Sequence, residues 1–200
     1  MTSRPVASTL SPASLALLAR ASTAPAATTF AQFAGTTLRA SEPSVRHADV
    51  PLAPGAWSVG VFFDMNGWFS GPIGILLSTA TCDSVRAVLK DAMHREPEPE
   101  GVDSMLLELG NVVASQTVSA IADGLAGRIV LSIPHLVVEG AERELAWRVQ
   151  RSRTASSSAR PSRIEIEFLE PGGSLCALVV LAPDMAASSA QSSEPFDTVE

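Results

Sequence analysis

The stretch DSMLLELGNVVASQTVSAIADGLAGRIVLSIP, residues 103–134, decides how the rest of the chain is read. At 100° per residue, Ser104, Glu108, Asn111 and Ser115 fall within a wedge of roughly 60° on one side of a helix. Met105, Leu109, Val112, Val113 and Ala120 fall opposite, with Leu106 and Thr117 at the edge of that side. This is the pattern of an amphipathic helix over about 102–126, with an apolar face for a core and a narrow polar stripe outward. Asp103 or Ser104 suits the N-terminal cap and Gly127 the C-terminal stop. A polar stripe is ordinarily just a solvated face. This one differs in carrying a mid-helix Asn, a mediocre helix former, and in lacking the Lys and Arg that usually lace such a face.

Outward from this helix, the chain reads as two related halves. After the helix, Arg128 to Ile133 predicts a strand that Pro134 breaks, and Leu136 to Val138 continues it. Glu142 to Gln150 admits a strand or a short helix, and the alternation of Leu145, Trp147 and Val149 favours the strand. Residues 152–162 are serine-rich and read as a loop. A hairpin follows, from Arg163 to Phe168 and from Leu175 to Leu181, turning at Pro171-Gly172-Gly173. The first half repeats the order. Ser11 to Arg39 is helical in pattern, Ser44 to Val50 weakly strand-like, and Trp57 to Asp64 pairs with Trp68 to Leu77 through an Asn66-Gly67 turn. Asp83 to Met93 predicts a further helix.

The expected architecture is therefore α+β, with two pseudo-symmetric halves, each a long helix packed with antiparallel β-hairpins. A single domain is expected over 9–184, built of halves 9–94 and 101–184 joined by a linker at 95–100. A flexible start (1–8) and a disordered, serine-rich tail (185–200) complete the chain. The Gly35 and Gly127 helix ends and the two hairpin turns are offset unequally, so an insertion in the second half reconciles the repeat.

Composition narrows the function. Hydrophobic residues make up 46% of the 200, enough for a substantial core. A net charge of −7 argues against nucleic acid, whose binding rests on Lys and Arg against phosphate. The longest apolar run, Leu175 to Ala182, is too short to span a membrane. Arg4 and the apolar segment after it faintly resemble a signal peptide, but Arg20 interrupts a very short core, so a cytoplasmic protein is expected. Cys82 and Cys176 lack metal-ligand spacing and read as buried, reduced thiols. His47, His94 and His135 are isolated, so no metal site is expected in this chain. Gly67-Trp68-Phe69-Ser70-Gly71 has the wrong spacing for a nucleophile elbow, and Gly71 and Gly74 lie within a hairpin rather than in a phosphate-binding loop.

The spacing S-x3-E-x2-N-x22-P, formed by Ser104, Glu108, Asn111 and Pro134, resembles the signature of the CheC, CheX and FliY phosphatases of bacterial chemotaxis. Glu108-Leu109-Gly110-Asn111 is likewise similar to the family's E-x-G-N. The resemblance implies a CheC-like fold and hydrolysis of the aspartyl phosphate of a CheY-like response regulator. It implies that Asn111 orients the attacking water and that Glu108 pairs with the receiver's lysine. Ser104 and Ser115 would belong to the partner surface, with Pro134 mainly structural at its edge. The required Mg2+ would sit on the response regulator, and this chain would bind no cofactor. CheC-like members carry two motif copies. Sliding one half onto the other places Glu108 over Ala16 to Leu18 and Asn111 over Ala19 to Ala21, so no first-half Glu and Asn pair exists. One site per chain is expected, in a monomer.

Two functions from different classes stay open. One is the phosphatase. The other is a non-catalytic CheC-like module that docks a response regulator, a CheD-type deamidase or a flagellar switch protein.

Overall fold

A computed structural model of the chain describes residues 11–52, 57–152 and 162–184. The expectations for 1–8, for 185–200 and for nearly all of the serine-rich segment lie outside the described residues. Five helices and eight strands occur among those described: α1 (Pro12–Ala19), α2 (Thr23–Ala34), β1 (Arg39–Ala40), β2 (Ser44–His47), β3 (Val59–Gly67), β4 (Gly71–Leu77), α3 (Thr79–Met93), α4 (Pro99–Gly124), β5 (Ile129–Leu131), β6 (His135–Val137), α5 (Ala141–Arg151), β7 (Ser162–Leu169) and β8 (Leu175–Leu181).

All eight strands join one antiparallel sheet in the order β1-β7-β8-β4-β3-β5. Strand β2 also pairs with β7, and β6 also pairs with β3. The order is pseudo-symmetric about the central β8–β4 pair. Each half contributes one long hairpin, β3–β4 or β7–β8. Each half also lends its two short strands to the long strand of the other half: β1 and β2 to β7, and β5 and β6 to β3. The α+β class and the paired halves thus match expectation.

The main core lies between the sheet and the layer of α1, α2, α3 and α4. Phe30, Val61, Phe63, Ile73, Ile75, Leu109, Val113, Ile166 and Val179 are all buried there. A smaller core lies on the opposite face, where α5 covers Trp57, Phe62, Leu76, Leu178 and Val180 with Ala141, Leu145 and Val149. Helix α4 is apolar and long enough to cross a membrane by length and composition, yet half of its most apolar window is buried inside the fold.

Several local expectations need correction. Residues 142–150 form a helix, not a strand. Ala141, Leu145 and Val149 recur every four residues and are buried, whereas the Trp147 of the apparent alternation is about half exposed. The four-residue period outweighs the two-residue one because the helix has a face of the sheet to cover. The helical stretch Ser11 to Arg39 is two helices separated by a 3-10 turn at Arg20–Ser22 and ends at Ala34, where Gly35 takes the left-handed conformation (φ 64°). Pro25 sits in the first turn of α2, where its missing N–H costs no helical bond. The β3–β4 hairpin does not turn at Asn66-Gly67. Strand β3 runs through Gly67, because Asn66 and Gly67 pair with Val130 and Ile129 of β5, and the reversal falls at Trp68–Ser70. Helix α4 begins at Pro99, inside the expected linker, with proline at its first position.

The buried face of α4 is rotated by about a quarter turn from the expected one. Val102, Leu106, Leu109, Gly110, Val113, Ala114, Thr117, Val118 and Ile121 are buried, while Met105, Val112 and Ala120 are only half-buried. The helix rests on the sheet as well as on α1 and α2, so small residues that carry little hydropathy, Gly110 and Ala114, become core. The buried Thr117 hydroxyl is satisfied by donating to the Val113 carbonyl at 2.9 Å.

Candidate functional site

The rotation leaves the polar stripe of α4 squarely outward. Ser104, Glu108, Asn111 and Ser115 are all exposed. The Ser104 hydroxyl donates to the Glu100 carbonyl at 2.8 Å, so it is engaged within its own helix. Glu108, Asn111 and Ser115 make no side-chain hydrogen bond or ion pair with another described residue. A carboxylate and a carboxamide one turn apart, both free, thus project from a helix seated on the sheet.

The height of that turn is set by Gly110. A Cβ at this position would stand 2.7 Å from Cβ and Cγ1 of Val61 on β3, closer than such atoms come. Only glycine lets the helix backbone approach the sheet this closely, which seats Asn111 directly beside the point of contact. The C-terminal end of α4 is fixed by a Schellman arrangement. The Gly127 N–H donates to the Ala122 carbonyl at 3.0 Å and the Ala126 N–H to the Asp123 carbonyl at 3.1 Å. The left-handed residue is Ala126 (φ 48°), not Gly127 as the stop signal suggested. Gly127 is needed for another reason: a Cβ there would run into the Trp68 indole.

Pro134 is half-buried in the short connection between β5 and β6, both of which pack against α4. The preceding Ser132 ties this connection to β3. Its N–H donates to the Asp64 carbonyl at 2.9 Å, and its hydroxyl oxygen accepts from the Asp64 N–H at 2.9 Å. Ile133 lies between this anchored Ser132 and Pro134 and is 88% exposed, the most exposed large apolar residue among those described. Register connects the connection to the stripe: Leu136 of β6 pairs with Val61, the residue under Gly110. His135 is exposed beside Pro134.

The first half offers no equivalent pair. Ala16 and Ala19 are buried and Leu17 is exposed, while Arg20 is exposed and paired with Glu42 at 3.0 Å. No group of three or more His, Cys, Asp and Glu suited to a metal ion occurs among the described residues. Cys82 is half-buried and Cys176 buried, both as free thiols. Burial, with Asp83 adding to it, pushes the Cys82 thiol up to about 11.

No protein-family model and no curated protein matches the chain. Solved structures do. CheX of Desulfovibrio desulfuricans superposes with a TM-score of 0.60 at 15% identity, over 84% of this chain and 99% of that one. The CheX–CheY complex with beryllofluoride and magnesium from Borrelia burgdorferi gives a TM-score of 0.51 at 16% identity, over 86% and 97%. FliY of Thermotoga maritima gives 0.52 at 12% identity, over 91% and 96%. The fold is that of the CheC/CheX/FliY proteins. At such low identity the likeness speaks for the architecture alone.

Within this CheC-like fold, sequence reasoning found the exposed pair and missed what positions it. The close approach of Gly110 to Val61 was hidden because a lone helical glycine reads as a propensity defect. The Ser132 tie and the projection of Ile133 were hidden because they depend on a strand some seventy residues away. The local signal available was the Ile-Pro pair at the end of a strand, where the proline restricts the residue before it to extended backbone.

Proposed function

We propose that the chain hydrolyses the aspartyl phosphate of a CheY-like receiver domain in the cytoplasm, using Asn111 and Glu108. The observation that carries this reading is the pair itself: two unengaged side chains, one turn apart, on an exposed helix face. An exposed face suits a protein substrate rather than a small molecule, which would need a concave pocket.

An acyl phosphate is cleaved when a water oxygen attacks phosphorus in line and the aspartate carboxylate leaves. The products are inorganic phosphate and the free carboxylate. Such a reaction gains from positioning and charge stabilisation more than from covalent chemistry. A carboxamide hydrogen-bonds a water without repelling the incoming phosphoryl group, which suits Asn111 to hold the nucleophile. Glu108 carries the wrong charge to touch phosphate. It suits an ion pair with the receiver's lysine, which fixes the angle of docking. The divalent cation that shields the phosphoryl oxygens belongs to the receiver in this scheme. Ser104 and Ser115 extend the contact along the helix, and Pro134 shapes its edge.

The test is the decay of a radiolabelled phospho-receiver with and without the protein. Wild type accelerates the decay, and Asn111→Ala lowers kcat by 100-fold or more with an unchanged circular dichroism spectrum. Turnover preserved in Asn111→Ala would sink the mechanism. The missing first-half pair favours a second reading, a docking module without turnover. That reading would show as tight binding of the receiver with no acceleration.

A further inference from the structure

We propose that Ile133 is the apolar anchor of the receiver interface and sets affinity for the partner without taking part in the chemistry. The inference rests on the reading of Glu108 and Asn111 as a receiver-docking pair.

The polar stripe supplies chemistry but little adhesion. Ser104, Glu108, Asn111 and Ser115 are small or charged, and interface energy concentrates instead in a few side chains that lose their water completely. The exposed acidic residues of α4 (Glu100, Glu108 and Asp123) meet no lysine or arginine on the same helix. This favours a basic partner surface and sets its approach more than its hold. An apolar residue near the stripe, fixed in place, is what such an interface lacks. Ile133 meets each condition.

Its exposure of 88% means that it contributes almost nothing to the core. Its backbone is nonetheless held on both sides. The Ser132 hydroxyl donates to the Ile133 carbonyl at 3.1 Å while Ser132 is bound to Asp64, and Pro134 restricts Ile133 to extended backbone. A branched side chain on a fixed backbone loses little entropy on docking. The position also fits. Ile133 is three residues from Leu136, which pairs with the Val61 beneath Gly110. Extended chain and strand spacing put it within about 20 Å of that helix turn. A standard interface covers about 800 Å² on each side, a patch about 32 Å across, so one receiver can cover Asn111 and Ile133 together when the contact is centred between them.

The experiment measures phospho-receiver decay across receiver concentrations, together with titration of the beryllofluoride-activated receiver. Ile133→Ser is expected to raise KM and Kd about tenfold or more and leave kcat within twofold. Ile133→Leu should restore most of the affinity, and the thermal midpoint should not move, since the side chain is exposed. Unchanged KM and Kd in Ile133→Ser, with wild type active, would overturn the anchor and leave the phosphatase reading intact. A fall in kcat at unchanged KM would overturn it equally. A wild type that neither binds nor accelerates decay would remove the docking reading, and the anchor with it.

Discussion

Glu108 and Asn111 share one face of one helix, and charge alone separates what their loss should do. Glu108→Lys places a cation where the proposed partner presents its own lysine. At exposed sites, juxtaposing like charges costs mainly association. The variant is expected to weaken receiver binding by tenfold or more at low salt, with part of the loss recovered at 0.5 M salt as screening sets in. Titration at the two salt concentrations checks this, and equal affinity of variant and wild type would remove Glu108 from the interface. Cys82 gives a second test, independent of function. Its thiol is held up to about 11, against an ordinary value of 9.0, because burial and Asp83 disfavour the thiolate. The folded state therefore keeps its proton longer than the unfolded chain. The stabilisation is complete below about pH 9 and is lost as pH rises through about 11. The chain has no tyrosine and a single lysine, Lys90, so few other groups titrate in that window. Denaturant midpoints between pH 8 and 11 should fall for wild type and fall less for Cys82→Ala. The outward direction of Glu108 and Asn111 was legible in the sequence, because helical periodicity alone separates a polar stripe from a core. The direction of Ile133 was not, since an apolar residue left in water is decided by which strand its neighbours join.

Gly110 shows how one element positions the site. Alanine is the better helix former by about 1 kcal/mol, so on propensity Gly110→Ala should stabilise α4. The added Cβ would instead meet the branched Cβ of Val61 at 2.7 Å, in the buried centre of β3 rather than at the tip of a flexible side chain. Overpacking of this kind costs typically 1–3 kcal/mol, so after the propensity gain a net loss of up to about 2 kcal/mol is expected, read from chemical denaturation. Because the helix must lift, turnover should fall as well, and Val61→Ala in the same chain should recover part of both losses. An increase in stability from Gly110→Ala alone would show that the helix does not rest on Val61. The elements read wrongly from sequence share a cause. In α5 a two-residue alternation lost to the four-residue repeat of Ala141, Leu145 and Val149, because the exposed face of the sheet called for a helix. At Asn66-Gly67 a strong local turn signal lost to pairing with β5. Each time a partner distant in sequence outvoted a local preference. The elements read correctly, β7, β8 and most of α4, are long segments in which local and tertiary demands agree.

At the scale of the molecule, the exchange of short strands decides whether the two halves are independent. The main core is continuous across both halves, with Phe30 of α2 packed on Phe168 of β7 at a centroid distance of 4.6 Å. The first half without the second would leave β4 with no β8, and β3 with neither β5 nor β6. The second half without the first would strip β7 of β1 and β2 and uncover the β8 edge. Every long strand would thus keep only its own hairpin partner and become an edge, and the buried faces of α2 and α4 would meet water. An isolated hairpin beneath one helix does not bury enough apolar surface to offset its chain entropy. Separate fragments 11–97 and 98–184 are therefore expected to lack cooperative thermal transitions when expressed alone. Mixed in equal amounts, they should recover a single transition and native near-ultraviolet dichroism, because the surfaces each lacks are those the other provides. Since the candidate site lies wholly within the second fragment, the mixture also separates chemistry from scaffold. The second fragment alone should not accelerate phospho-receiver decay even though it carries Glu108 and Asn111, and acceleration should return on mixing. A cooperative transition in either fragment alone would show that the halves are autonomous and that the strand exchange is incidental to stability.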